Sequence, residues 1–233
     1  MDLFFLPDLS GEYLLLPEDE SRHCIRVLRK KKGEALHLTD GKGNLLMGEI
    51  INDHPKRCEV KVVSIRQQPK PSKYLIHVAM APTKNLSRIE WAVEKMCEMG
   101  IASFTPVICE HSEGTRVNMK RLEKIMISAM LQSNGCHLPI LRDLLPFPDL
   151  IQEETRGIKL IGYCGEQTRP LTQAYEHGKD AVILIGPEGD FSEEEIQMAA
   201  SAGFVAISLG KSRLRTETAG VMACAAIHTL NGL

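Results

Sequence analysis

The sequence predicts an α/β protein in two folded parts: a small antiparallel β-domain over residues 1–69, and a larger domain built on a mostly parallel sheet over residues 73–233. Three observations carry this. Before Arg66, short strand-like runs alternate apolar and polar residues between turn signals. The polar stretch Arg66 to Lys73 (RQQPKPSK), with two prolines, then favours an extended, poorly packed connection. Beyond it, apolar runs of strand length alternate with segments of helical period, the order that covers a parallel sheet on both faces.

In the first part the strand-like runs are EALHLTD (34–40), LLMGEIIND (45–53) and RCEVKVVSI (57–65), with GKGN (41–44) as the turn between the first two. In the third run the alternation changes phase, from Val60 and Val62 to Val63 and Ile65. A domain this small suits a closed barrel, because closure removes exposed strand edges. In the second part the strands are YLIHVAM, SFTPVIC, IKLIGY, AVILIG and FVAISLG. Between them, Ser87 and Glu90 form a capping box for a helix whose apolar face is Ile89, Ala92, Val93 and Met96, ended by Gly100. Asn118 caps the next, with Leu122, Ile125, Met126 and Ala129 at helical spacing. Ser192 and Glu195 form another capping box, and Gly203 ends that helix. The last helix is crowded with small residues, Ala219, Gly220, Ala223, Cys224, Ala225 and Ala226. They suit close approach of another helix, either within the domain or across a subunit interface.

The formal net charge is −2, so contact with nucleic acid has to come from a local basic patch. The best one is Arg22, Arg26, Arg29, Lys30, Lys31 and Lys32, which reads either as a phosphate grip or as a solvated turn ahead of Gly33. Seven cysteines, odd in number and without C-x-x-C spacing, read as reduced thiols of a cytoplasmic protein. Neither they nor the histidines have metal-ligand spacing. The N-terminus begins with Asp2 where a signal peptide would be cationic, and no apolar run reaches the ~20 residues of a membrane span.

Gly210-Lys211-Ser212 looks like the tail of a phosphate-binding P-loop, but the first glycine of that motif would fall at Val205, inside a strand. The stretch is then either a solvated charged turn or part of another site. Three glycine-bearing loops follow strands, in IGYCGE, VILIGPEGD and SLGKSRLRTETA. Ligands of open α/β sheets sit beyond the carboxyl ends of strands, so these loops suggest one pocket for a small molecule. A dinucleotide is disfavoured, since no G-x-G-x-x-G occurs.

LIGPEGDFSEEEI (184–196) followed by SLGKSRLRTETAG (208–220) resembles the paired signature of the RsmE-type ribosomal RNA methyltransferases of the SPOUT superfamily. HCIRVLRKKKGEALHLTDGKGN resembles the family's N-terminal PUA-like barrel, and EKMCEMGIASFTPVICEHS its first helix and next strand. The resemblance implies a PUA-like RNA-binding barrel at 1–69 and a SPOUT methyltransferase domain with a C-terminal trefoil knot at 73–233. It implies methyl transfer from S-adenosyl-L-methionine to N3 of a uridine in 16S ribosomal RNA, U1498 in the family. The partners implied are a 30S subunit or its precursor and a second copy of the chain, with no metal and no membrane. The cofactor would lie against Tyr163, Gly186, Pro187, Glu188, Gly189, Leu209, Gly210, Leu214, Thr216 and Thr218. Arg213 and Arg215 would stabilise developing negative charge on the base. Glu217 would orient an arginine, favour the helix N-terminus or accept a proton. The chain departs from the family pattern at Ser212, where arginine is usual, and at Leu131–Gly135 (LQSNG), where EQSGR is usual. Another SPOUT activity, on a different ribosomal or transfer RNA position, and a non-catalytic RNA-binding protein of the same fold are the other readings.

Overall fold

The computed structural model describes residues 2–232. The chain divides into two compact units, Met1–Pro71 with Ile127–Leu138, and Ser72–Met126 with Pro139–Leu233.

In the first unit, β1 (Leu3–Phe5) and β2 (Tyr13–Leu15) precede α1 (Glu18–Arg22), which runs into a wider helical turn at His23–Val27. Strands β3 (Ala35–Thr39), β4 (Asn44–His54) and β5 (Arg57–Gln67) follow. They form a five-stranded sheet in the order β1-β3-β4-β5-β2. Only β1 and β3 pair in parallel. The phase change seen in the sequence is a bulge: Met47 faces Ser64 and Gly48 faces Val62, so Val63 is the extra residue. Glycine is required at 48, since a Cβ there would lie 2.3 Å from Val60 Cγ1. Phe4, Leu16, Leu36, Leu38, Leu46, Ile50, Cys58 and Val60 form the core. A second cluster joins Leu3 and Leu45 to Cys136, with Leu131 against it. Gly43 N donates to Cys136 O and Leu138 N to Gly41 O, both at 2.7 Å. These contacts bring 127–138 into the first unit, whereas the sequence reading put the whole of 73–233 in the second. A single chain segment returning to a sheet from about sixty residues away leaves no local pattern.

The second unit contains β6 (Ile76–Met80), α2 (Leu86–Glu98), β7 (Ser103–Ile108), α3 (Met119–Gln132, whose end belongs to the first unit), β8 (Ile140–Leu141) and β9 (Leu145–Pro146). It continues with α4 (Phe147–Gln152), β10 (Ile158–Gly162), β11 (Arg169–Pro170), α5 (Leu171–Ala174) and β12 (Ala181–Ile185). Its last elements are α6 (Glu193–Ser201), β13 (Val205–Ser208) and α7 (Thr216–Leu230). The sheet order is β11-β13-β10-β12-β6-β7-β8, with β9 beside β7, and every pairing is parallel. All five residues of β12 are buried, which is why its sequence, Ala-Val-Ile-Leu-Ile, is continuously apolar. Strand β13 enters between β10 and β11, which are consecutive in the chain.

The helix ends follow local chemistry, with one shift from expectation. Helix α2 is capped by Asn85, whose Oδ1 accepts from Ser87 N at 3.1 Å and from Ser87 Oγ at 2.8 Å. Ser87 therefore serves the cap as a donor, and Glu90 pairs with Arg121 instead of closing a box. Asn118 caps α3 through Arg121 N, and Ser192 with Glu195 makes both bonds of a capping box on α6. On α7, Gly220, Ala223, Cys224 and Ile227 are buried within the chain. A Cβ on Gly220 would meet Met80 Sδ at 3.0 Å and Met96 Sδ of α2 at 3.4 Å. Small residues here let α7 lie close to α2 and β6, which decides between the two readings of that stripe for Gly220, Ala223 and Cys224.

Candidate functional site

Parallel strands end at a common edge, and the loops leaving that edge can converge on a ligand. Here the loops after β10 (163–168), β12 (186–190) and β13 (209–215) enclose a cavity of about 640 Å³. Ile185, Pro187, Ile207, Leu209, Leu214 and Ala219 give it apolar walls, and Glu188, Asp190, Lys211, Arg213 and Arg215 put charge around it. The loops are sewn to one another. Tyr163 N donates to Ile207 O at 3.1 Å. Asp190 accepts from Cys164 N at 3.1 Å and from Phe191 N at 2.9 Å, which uses both its oxygens. Thr216 Oγ1 donates to Gly186 O at 3.0 Å, and Arg213 Nη2 to Glu188 O at 3.2 Å. Gly210 has φ +136°, a backbone state that side-chain-bearing residues rarely adopt. Arg215 occupies the N-cap position of α7 without a side-chain capping bond and is exposed. Cys164 is exposed, yet partial desolvation within the loop, with the Asp190 carboxylate near it, pushes its thiol up.

Residues 70–228 match the family described as an RNA methyltransferase domain, and residues 16–63 match the RNA methyltransferase PUA domain. The chain belongs to the RNA methyltransferase family. It is 30% identical to the Ribosomal RNA small subunit methyltransferase E of Buchnera aphidicola, over 97% of this chain and 90% of that one. A crystal structure from Porphyromonas gingivalis, described as a probable rRNA-methyltransferase, is 42% identical with a TM-score of 0.92, covering 99% of this chain and 98% of the other. The Neisseria gonorrhoeae Ribosomal RNA small subunit methyltransferase E, bound to S-adenosyl methionine, is 29% identical with a TM-score of 0.89, covering 99% and 98%.

In this RNA methyltransferase family chain, Tyr163, Gly186, Pro187, Glu188, Leu209, Gly210, Leu214 and Thr216 line the cavity, with Arg213 and Arg215. Three residues expected at the site stand off it. Gly189 faces outward against His111, whose Cβ would be 2.9 Å from a Cβ at 189. Thr218 is exposed, one residue past the buried start of α7. Glu217 is buried and turned toward α2, with Oε1 3.8 Å from Arg88 Nε and Oε2 without a partner. It therefore orients no cavity arginine. A Cβ on Gly186 would strike the Phe191 ring at 2.9 Å, so packing inside the chain demands glycine there. Sequence reasoning missed Cys164, Thr168, Asp190 and Ala219 on the wall, and Arg88 as the partner of Glu217. The Asp190-Phe191 step before a capping box was the available signal, since Asp favours turns of this kind.

The basic run of the first unit is split by its own neighbours. Arg22 pairs with Glu18 at 2.8 Å. Lys30 Nζ reaches Asp2 Oδ2 and Ala35 O, each at 3.2 Å. Arg26, Arg29, Lys31 and Lys32 are exposed, with no ion-pair partner among the described residues.

Proposed function

We propose that the chain transfers a methyl group from S-adenosyl-L-methionine to N3 of a uridine in 16S ribosomal RNA. The observation that carries this reading is the three-loop cavity at the strand ends with Arg213 and Arg215 in its wall. The family membership and the S-adenosyl methionine bound by the Neisseria relative support it. The cavity fits the cofactor. Its volume of about 640 Å³ is within the roughly 300–1,000 Å³ of small-molecule sites. Apolar Ile185, Ile207 and Leu209 suit the adenine ring, and the Glu188 and Asp190 carboxylates suit positive charge.

When bound, the sulfonium cofactor supplies an electrophilic methyl group. The chain's own task is to align the uridine with it and to exclude water. Arg213 and Arg215 donate to the base oxygens O2 and O4 and stabilise the charge that N3 acquires as its proton leaves. Arg213 is held for this by its bond to the Glu188 carbonyl, and Arg215 by its position at the start of α7. The PUA-like unit grips phosphates through Arg26, Arg29, Lys31 and Lys32. The substrate is a 30S subunit or its precursor, the working form is a homodimer, and the site of action is the cytoplasm.

The test combines cofactor titration calorimetry with base-resolved methylation mapping of 16S RNA in 30S subunits. The reading expects cofactor binding, methylation confined to uridine N3, and a rate about 100- to 1,000-fold lower in Arg215→Ala with cofactor affinity kept. Methylation at another RNA position assigns a different SPOUT activity. Cofactor binding without any methylation, or neither, leaves the non-catalytic RNA-binding reading.

A further inference from the structure

Asp190 holds an uncommon backbone state. Its φ is +64°, in the left-handed region that glycine occupies freely and that most side chains avoid, Asp and Asn least. Glycine would make this turn at lower cost, but only a side chain can make the bonds that the turn carries. Asp190 Oδ2 accepts from Cys164 N at 3.1 Å, and Oδ1 from Phe191 N at 2.9 Å. The two bonds lead to different places. Phe191 is buried in the core, its ring 5.5 Å from that of Phe147. Cys164 lies in the loop after β10 and is exposed. Among the described residues, Asp190 is the only hydrogen-bond partner that residues 164–167 have elsewhere in the chain. The loop after β7 meets the same residue. His111 Nδ1 lies 3.2 Å from the Asp190 carbonyl and carries the hydrogen, since a carbonyl can only accept.

We propose that Asp190 is a positioning residue for the cofactor, a latch that ties the loop after β10 to the core-anchored loop after β12 and so fixes one wall of the cavity in advance. This deepens the reading of the cavity as a S-adenosyl-L-methionine site and rests on it. Tyr163, Cys164 and Gly165 line one side of that cavity, and Gly186, Pro187 and Glu188 line another. Tyr163 lies against Gly165, where a Cβ would strike its ring, so the latched segment carries the ring with it. An unlatched loop would have to become ordered as the cofactor binds, and that lost freedom weakens affinity. A wall ordered beforehand loses little. The carboxylate has both oxygens on amides, so it acts through the wall that it holds. Its charge also favours a cation at a distance, and the experiment separates the two effects.

The experiment compares wild type with Asp190→Gly, which keeps the left-handed turn and removes the latch, and with Asp190→Asn, which suits the same backbone state and keeps one acceptor oxygen. Without cofactor, amide hydrogen exchange across 163–167 in Asp190→Gly should speed up by about tenfold or more, while β12 and α6 exchange as in wild type. Affinity by calorimetry should fall by about tenfold for S-adenosyl-L-methionine, and equally for S-adenosylhomocysteine, which lacks the sulfonium charge. The loss in methylation should appear as a raised KM for the cofactor, with kcat falling far less. Asp190→Asn should lie between the other two proteins on each readout, and it carries the same comparison should Asp190→Gly fail to fold. A loss confined to S-adenosyl-L-methionine overturns the latch and makes Asp190 a charge partner of the sulfonium. Unchanged exchange across 163–167 overturns it as well, and so do affinities for both ligands within about threefold of wild type. Failure of the wild-type protein itself to bind S-adenosyl-L-methionine strikes the underlying cofactor reading instead. Loop exchange is measured without cofactor, so the two failures are distinct.

Discussion

Thr216 Oγ1 donates a buried 3.0 Å hydrogen bond to the Gly186 carbonyl, tying the first residue of α7 to the loop that leaves β12. Both residues line the cavity. Thr216→Val keeps the side-chain shape and leaves the carbonyl without its donor. The expected outcome is a loss of about 1–3 kcal/mol in unfolding free energy, with Thr216→Ser close to wild type. Denaturant unfolding of the three proteins checks it. Equal stability of the valine and threonine proteins would mean that water replaces the hydroxyl.

Ala223 is fully buried between α7 and its neighbours in the same chain. A larger side chain there has no space, so Ala223→Leu should destabilise by about 1–3 kcal/mol through overpacking. The loss belongs to the folded chain, so the shift in thermal midpoint should be the same at every protein concentration. Melting at low and high micromolar concentration measures it. A shift that appears only in dilute samples would place Ala223 at an interface between copies.

The long strands β6, β7, β10, β12 and β13 and the helices α2, α3, α6 and α7 were legible because fully apolar runs such as Ala181–Ile185 and amphipathic periods such as that of α2 declare themselves locally, whereas the short elements β8, β9, β11, α4 and α5, two to six residues each, left no such signal. The cavity was legible because glycine-bearing loops follow the strands that end together. Other features were set by distant partners. Strands β1 and β2 have three residues each, too short to show alternation. Gly189 carries the same sequence signal as Gly186, and only the fold shows that it meets His111. Glu217 sits in a charged run whose arginines face the cavity, yet its partner, Arg88, comes from another helix. Lys30 looks like its neighbours in the basic run until the N-terminal residue Asp2 returns beside it.

His228, held by Tyr74 Oη at 2.6 Å from Nδ1, and His77, 2.7 Å from Ser103 Oγ, are both shifted downward by burial. The native state therefore holds them neutral, and the unfolded chain takes up their protons first. Stability from this source is complete above the ordinary histidine value of 6.5 and is lost as pH falls below it. His228→Gln stays neutral throughout. Between pH 7 and 5, wild type should lose stability faster than the variant, by at most about 1.4 kcal/mol per pH unit. Carboxylate titration is common to both proteins and drops out of the difference. Parallel stability curves would show that His228 keeps its proton when buried.

The exposed lysines of the basic run separate from Lys30 on structural grounds, and salt dependence can tell them apart. Lys30 is occupied by Asp2 and the Ala35 carbonyl, while Lys31 and Lys32 project from the turn before β3. If the latter two hold phosphates, Lys31→Glu with Lys32→Glu should weaken RNA binding and leave cofactor affinity alone. Each lost contact flattens the log-log salt slope by about 0.7 to 0.9, so the pair should change it by roughly 1.5. Lys30→Ala should leave the slope nearly unchanged and act, if at all, on the stability of the first unit. A solvated turn would behave differently, because screened charge acting at a distance shifts affinity modestly without removing a counterion-releasing contact. RNA affinity measured across a salt series for the three proteins decides the matter. Parallel lines for wild type and the double variant would mean that RNA enters the protein elsewhere.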